Sequence, residues 1–186
     1  MSLEDEALAE LRASAHPVRL RMMSLLTGAA MSAAELAREL GITQANASYH
    51  LRMLARAGQV EIAQTESVRG GQAKKYRYRY PREKAGPTGR PPRAATHEEW
   101  QQYIHVLYRE LVRRSEQRID GQALSADAEV WVTPETWQKT RELVQEASRL
   151  VHQQALRPHT PDSVHVNFQA ELFRMHDARD DAAGEE

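Results

Sequence analysis

Ser48, Tyr49, Arg52 and Arg56 are spaced so that a helix, at about 100° per residue, would bring them with Ala45 onto or beside one face. A hydroxyl, a phenol and two guanidinium forks on one helical face suit one kind of chemistry. They can exchange hydrogen bonds with the edges of bases and pair with phosphates. Arg52 lies one turn after Ser48, and its planar fork matches the O6 and N7 acceptors of a guanine. Pairing with a phosphate alone is the other reading of Arg52. A second concentration of charge follows in AKKYRYRY, Ala73 to Tyr80. On a strand Lys75, Arg77 and Arg79 would share one face and Tyr76, Tyr78 and Tyr80 the other, with Lys74 adding to the charge. Such a face suits phosphates, although an ordinary solvated hairpin taken alone would read the same way.

The stretch from Met31 to Gly58 supplies the elements that must hold the first group. Ser32 can cap a short helix, with Glu35 three residues later completing a capping box, and Ala34, Leu36, Ala37 and Leu40 give it an apolar stripe. Gly41 ends it in the left-handed conformation that glycine tolerates. Thr43 caps a second helix, which Gly58 closes. Within it Ala47, Leu51 and Leu54 face inward, opposite the polar face. Two helices joined by a tight glycine-containing turn make a helix-turn-helix, whose second helix can enter a major groove. Gln59 to Gln64 is expected to be a strand with Val60 and Ile62 on one face. Arg69 to Gln72 would form a turn, and Ala73 to Tyr80 the return strand. A hairpin after a recognition helix is the wing of a winged helix. Upstream, Leu3 to Ala13 is amphipathic, with acids in its first turn. Pro17 suits the start of the next helix, where Val18, Met22, Leu25 and Leu26 line the core. Arg19 and Arg21 are expected to be solvated.

Leu11 to Tyr80, about 70 of the 186 residues, resembles the winged-helix domain of ArsR-type bacterial transcriptional regulators. The resemblance rests on AHPVRLRMMSLL (Ala15 to Leu26), AELARELGITQANASYHLRMLARAGQVE (Ala34 to Glu61) and the hairpin. Its most specific piece is SYHLRMLARAGQV, Ser48 to Val60. It implies that Gln44, Asn46, Ser48, Tyr49, His50 and Arg52 touch operator DNA. His50 also lies near the apolar stripe, where it would be a half-buried packing residue.

Composition divides the chain. Cysteine is absent, which excludes disulfides and thiolate metal sites. No run of 18 apolar residues and no signal-peptide pattern occurs, so a cytoplasmic location is expected. The formal net charge of −1 hides an asymmetry. Residues 1–93 carry 15 Lys/Arg against 9 Asp/Glu, whereas residues 94–186 carry 10 against 17. The first half can approach phosphates and the second would be repelled. Pro81 to His97 has four prolines, two glycines and Glu83 as its one acid, and reads as a basic linker.

Thr96 to Glu99 is a second capping box and opens a long helix to about Ile119. Its seam of Trp100, Ile104, Leu107 and Leu111 suggests a partner helix, and in the resembled family a helix after the wing commonly builds the dimer interface. Cover from the C-terminal region of the same chain is the alternative. Beyond Gly121 the pattern is strand (Ala128 to Val132), helix (Thr133 to about Leu156, with Trp137, Val144, Ala147 and Val151 inward) and strand (Ser163 to Met175). In the last strand Val164, Val166, Phe168, Ala170 and Leu172 share a face. Ala178 to Glu186 reads as disordered. The histidines show no metal-ligand spacing on one helix face. A small organic effector between the Trp131/Trp137 region and the long helix remains open, as does a purely structural role for both tryptophans.

The expected fold is α+β. An N-terminal winged helix-turn-helix (1–80) precedes a linker (81–97) and a C-terminal dimerisation or effector domain (98–176), built from the long helix and a strand-helix-strand unit. A tail (177–186) follows. The expected function is a dimeric DNA-binding transcriptional repressor without enzymatic activity, cofactor or metal. A winged helix used for protein–protein contact is the rival. Polar and basic groups at Ser48, Tyr49, Arg52 and Arg56 favour groove edges over a protein partner, which would usually meet an apolar anchor.

Overall fold

The computed structural model describes residues 15–68, 71–79 and 96–176. The expected helix Leu3 to Ala13, the hairpin tip Arg69/Gly70, Tyr80, the linker up to residue 95 and the tail lie outside the described residues. Helix α1, Pro17–Gly28, starts on its proline, with His16 Nδ1 accepting from the Val18 amide at 3.2 Å. Helix α2, Ala33–Leu40, has both halves of the capping box. Ser32 Oγ accepts from the Glu35 amide, and Glu35 Oε2 accepts from the Ser32 amide at 2.8 Å. Gly41, at φ 65°, turns the chain toward Thr43, which caps helix α3, Gln44–Arg56. All these ends follow from local sequence.

The three helices meet in a core of Met22, Leu26, Met31, Leu36, Ala37, Ala47, Leu51, Leu54 and Val60. Burying each of the larger apolar side chains contributes roughly 1.5–3 kcal/mol. The α3 stripe Ala47, Leu51 and Leu54 is therefore what fixes the roll of that helix and decides which residues face out. Strands β1, Val60–Val68, and β2, Gly71–Tyr78, form an antiparallel hairpin longer than the sequence pattern indicated. Met31 pairs with Tyr76 through two backbone hydrogen bonds of 2.9 Å, which anchors the hairpin to the α1–α2 connection. Tyr76 and Tyr78 pack against the core, as expected. Ile62 does not join Val60 inside. Ile62 pairs with Tyr76 in the same register as Val60 with Tyr78 but stays 50% exposed, and a bulge follows between Ile62 and Gln64.

Helix α4, His97–Ser115, begins with the expected capping box at Thr96/Glu99 and ends short of Ile119. It docks on α1 through Glu110, a buried carboxylate 3.4 Å from Arg21 Nε, 2.9 Å from Arg113 Nε and 4.0 Å from Arg114 Nε. Arg21 is thus an inter-element ion pair rather than a solvated charge, and half-buried Arg19 is not fully solvated either. Helix α5, Pro134–Gln153, is capped by Thr133 and buries no residue fully. Trp137, Val144, Ala147 and Val151 are half-buried along its inner side. The expected strands at 128–132 and 163–175 do not form, because β1 and β2 are the only paired strands among the described residues. The alternating pattern is there, but a strand exists only with a ladder partner, and neither segment meets one among the described residues.

Candidate nucleic-acid interface

Helix α3 presents Gln44, Ala45, Asn46, Tyr49, Arg52 and Arg56 to solvent, with Ser48 half-buried among them. At 13 residues it is about 20 Å long, and a B-form major groove about 12 Å wide admits a helix. Its first turn carries no acid. The exposed N-terminal end, where only Thr43 Oγ engages the Asn46 amide at 3.2 Å, therefore keeps the partial positive charge that attracts phosphate.

His50 departs from the expectation that it touches DNA. It is only 6% exposed, stacks on His16 with ring centroids 4.6 Å apart, and meets the Tyr49 ring edge-on at 5.2 Å. Its place beside the Ala47/Leu51/Leu54 stripe turns the ring under the helix rather than out of it. Burial, followed by the nearby Arg19 charge, holds the imidazole below its ordinary pKa. His16 is lowered by the same two causes and then by His50. The pair is a neutral packing unit beneath Tyr49. That packing supports the outward-facing ring of Tyr49.

On the hairpin Lys74, Arg77 and Arg79 are exposed. Lys75 is not free in the same way. Its ammonium lies 2.8 Å from Glu66 Oε1, and that hydrogen bond raises its pKa. Lys75 also acts on Glu35. Burial works against that carboxylate, but hydrogen bonds from Ser32, then Lys75 and Arg157, outweigh it and hold the pKa below the ordinary value.

Two contacts that sequence reasoning missed join the C-terminal part to α2. Arg157 donates to Glu35 at 3.1 Å, and His159 Nε2 lies 3.3 Å from Glu39 Oε2. The available signal was an acidic i, i+4 pair, Glu35 and Glu39, on a helix within the basic half of the chain. Nearby, the Tyr78 and His152 rings lie 6.3 Å apart.

The α4 seam is neither bare nor fully covered. Trp100, Ile104 and Leu107 line an open cavity of about 330 Å³ that Gln169, Glu171 and Phe173 wall on the other side. Trp100 meets Phe173 edge-on at 6.4 Å, and Leu111 is half-buried further along. Beside it the Tyr103 hydroxyl is pushed up to about 12, by burial first and Glu171 second. Trp131 and Trp137 do not line this space. Among the described residues no group of three or more His, Asp or Glu side chains gathers in a way that could hold a metal.

A family model described as a helix-turn-helix domain matches residues 15–62, which comprise α1 to α3 and the start of β1. No curated protein matches the chain. The matched region carries a helix-turn-helix, followed by a two-stranded hairpin and further helices, and this supports a DNA-binding regulator. Among the described residues no helix is long and apolar enough to cross a membrane.

Proposed function

We propose that the chain is a cytoplasmic bacterial transcriptional regulator of ArsR type, a homodimeric repressor on a near-palindromic operator that acts by binding and not by catalysis. One observation carries the reading. A helix whose roll is set by three buried residues turns a mainly polar and basic face to solvent, beside a hairpin with exposed Lys74, Arg77 and Arg79. In this reading α3 enters the major groove, Gln44, Asn46, Ser48, Tyr49 and Arg52 reach base edges, and the hairpin follows the backbone. Trp100, Ile104, Leu107 and Leu111 contribute to the contact between copies. A two-fold dimer then requires half-sites about 34–36 Å apart, or a multiple of that.

The test is binding-site selection from random duplexes with purified protein, followed by anisotropy titration of Arg52→Ala on the selected site. A single palindromic motif is expected. The variant should lose about 1–3 kcal/mol on it and far less on random DNA. Equal losses on both would assign Arg52 to the phosphate backbone, and failure to enrich any motif would refute sequence-specific binding.

A further inference from the structure

The segment Ser163 to Met175 alternates in polarity, and is placed the wrong way round for a chain that stands alone. Its polar side chains turn toward α4. Asn167 Oδ1 accepts from Arg114 at 3.1 Å, while Gln169 and Glu171 line the cavity against Trp100 and Ile104. The apolar positions between them face outward, with Val164 84%, Val166 59%, Phe168 37% and Leu172 41% exposed. Among the described residues no backbone ladder forms along this segment. An open strand edge with an apolar face is a template for another strand.

The segment is complementary to itself. Laid antiparallel on a second copy about a two-fold axis at Phe168, it sets Val164 opposite Leu172 and Val166 opposite Ala170. The same register sets His165 opposite Glu171 and Asn167 opposite Gln169, so every polar position meets a polar one and the acid meets the imidazole. A slip by one residue would put Val166 opposite Glu171 and Asn167 opposite Ala170, setting apolar against polar throughout. We infer that residues 164–172 form an intermolecular β-strand, pairing antiparallel with the same segment of a second copy of this chain. A C2 interface needs such self-complementarity. The paired strands merge their outward residues into one apolar face, and exposed Leu143 and Leu150 on α5 offer apolar surface to cover it. The inference rests on the homodimeric reading above and assigns the segment that completes it.

The chain has no cysteine, so Phe168→Cys introduces a single thiol. At the two-fold axis the two Cα atoms would lie roughly 4.5–5.5 Å apart, within disulfide reach. Mild oxidation should convert most of this variant to a covalent dimer at low concentration. Leu124→Cys, 97% exposed in the connection before α5, serves as the collision control and should stay largely monomeric on denaturing gels. In wild-type protein the amides of 164–172 should exchange with deuterium at least about ten-fold more slowly than in a free peptide. Sedimentation of the wild type separates the two ideas. A dimer with neither cross-link nor protected amides overturns the strand pairing and leaves dimerisation standing. A monomeric wild type overturns both.

Discussion

Lys75 and Arg77 belong to the same strand face, yet the structure predicts that only one of them contributes to salt-dependent DNA binding. A cation that neutralises a phosphate releases condensed counter-ions, and each such contact steepens log K against log salt by about 0.9. Arg77 is exposed and free to make that contact. Lys75 is held at 2.8 Å by Glu66, so the pair approaches DNA with no net charge. Arg77→Gln should therefore flatten the slope by about 0.9, and Lys75→Gln should leave it nearly unchanged. Between 50 and 200 mM salt, a slope change of that size means that the Arg77 variant loses roughly 3.5-fold less affinity than wild type. Glu66→Gln should do the opposite, freeing Lys75 and steepening the slope by up to about 0.9. Anisotropy titrations on one duplex at four salt concentrations measure all three. Equal flattening by Lys75→Gln and Arg77→Gln would refute the argument, because it would mean that the Glu66 pair opens on DNA. No change from Arg77→Gln would mean that the hairpin does not touch phosphate.

Three further perturbations test the framework behind that face. Leu51→Ala removes a fully buried side chain from the core that orients α3 and should cost about 2–5 kcal/mol in urea unfolding; a loss under 1 kcal/mol would mean the site is not packed as described. His16 and His50 have lowered pKa values, so the folded state resists protons that the unfolded chain takes up near 6.5. Their contribution to stability is complete above pH 6.5 and falls away as pH drops below it, and His50→Phe should show a smaller loss of thermal stability between pH 7.5 and 5 than wild type does. Identical losses would show that the imidazole is not resisting protonation. A side chain at Gly28 would overlap the Leu156 carbonyl, so Gly28→Val should expose residues 154–163 to protease while α2 and α3 keep their amide protection; unchanged cleavage would mean that this contact does not hold the segment down.

What was legible in the sequence was what neighbouring residues decide among themselves. Ser32, Glu35, Gly41 and Thr43 mark helix ends within a few residues, and Ala47, Leu51 and Leu54 repeat with the helical period, so the turn and the outward face of α3 could be read directly. His50 was ambiguous because it lies at the border of that stripe, and only the position of His16 resolves its direction. The bulge after Ile62 left no mark, because alternation alone does not reveal where two strands slip. Arg21 with Glu110 and Arg157 with Glu35 join residues far apart in the chain, and a local pattern such as the acidic Glu35/Glu39 pair marks one side of such a contact without naming its partner. At 128–132 and 163–175 the alternation indicated strands that do not form. Strand formation also requires a partner, and the sequence of one segment says little about where that partner is.

The charge asymmetry of the chain acquires a physical meaning from the contacts on α2. A C-terminal half with an excess of acid would weaken phosphate binding if its negative potential reached the face of α3. It meets the DNA-binding half instead partly through a cation of its own, Arg157. Arg157 lies on Glu35 and His159 on Glu39, while Glu110, a carboxylate of α4, is closed in by Arg21, Arg113 and Arg114. The ion pairs neutralise acids where the halves join, and Arg157 does so for Glu35 on the helix that precedes the recognition helix. The join therefore leaves the exposed cations Arg52, Arg56, Arg77 and Arg79 to determine the potential on the outer face. Because screening confines such effects to about 8–10 Å at physiological salt, it is the charges at the join, and not the net charge of −1, that decide whether the two halves can share one chain that binds a polyanion.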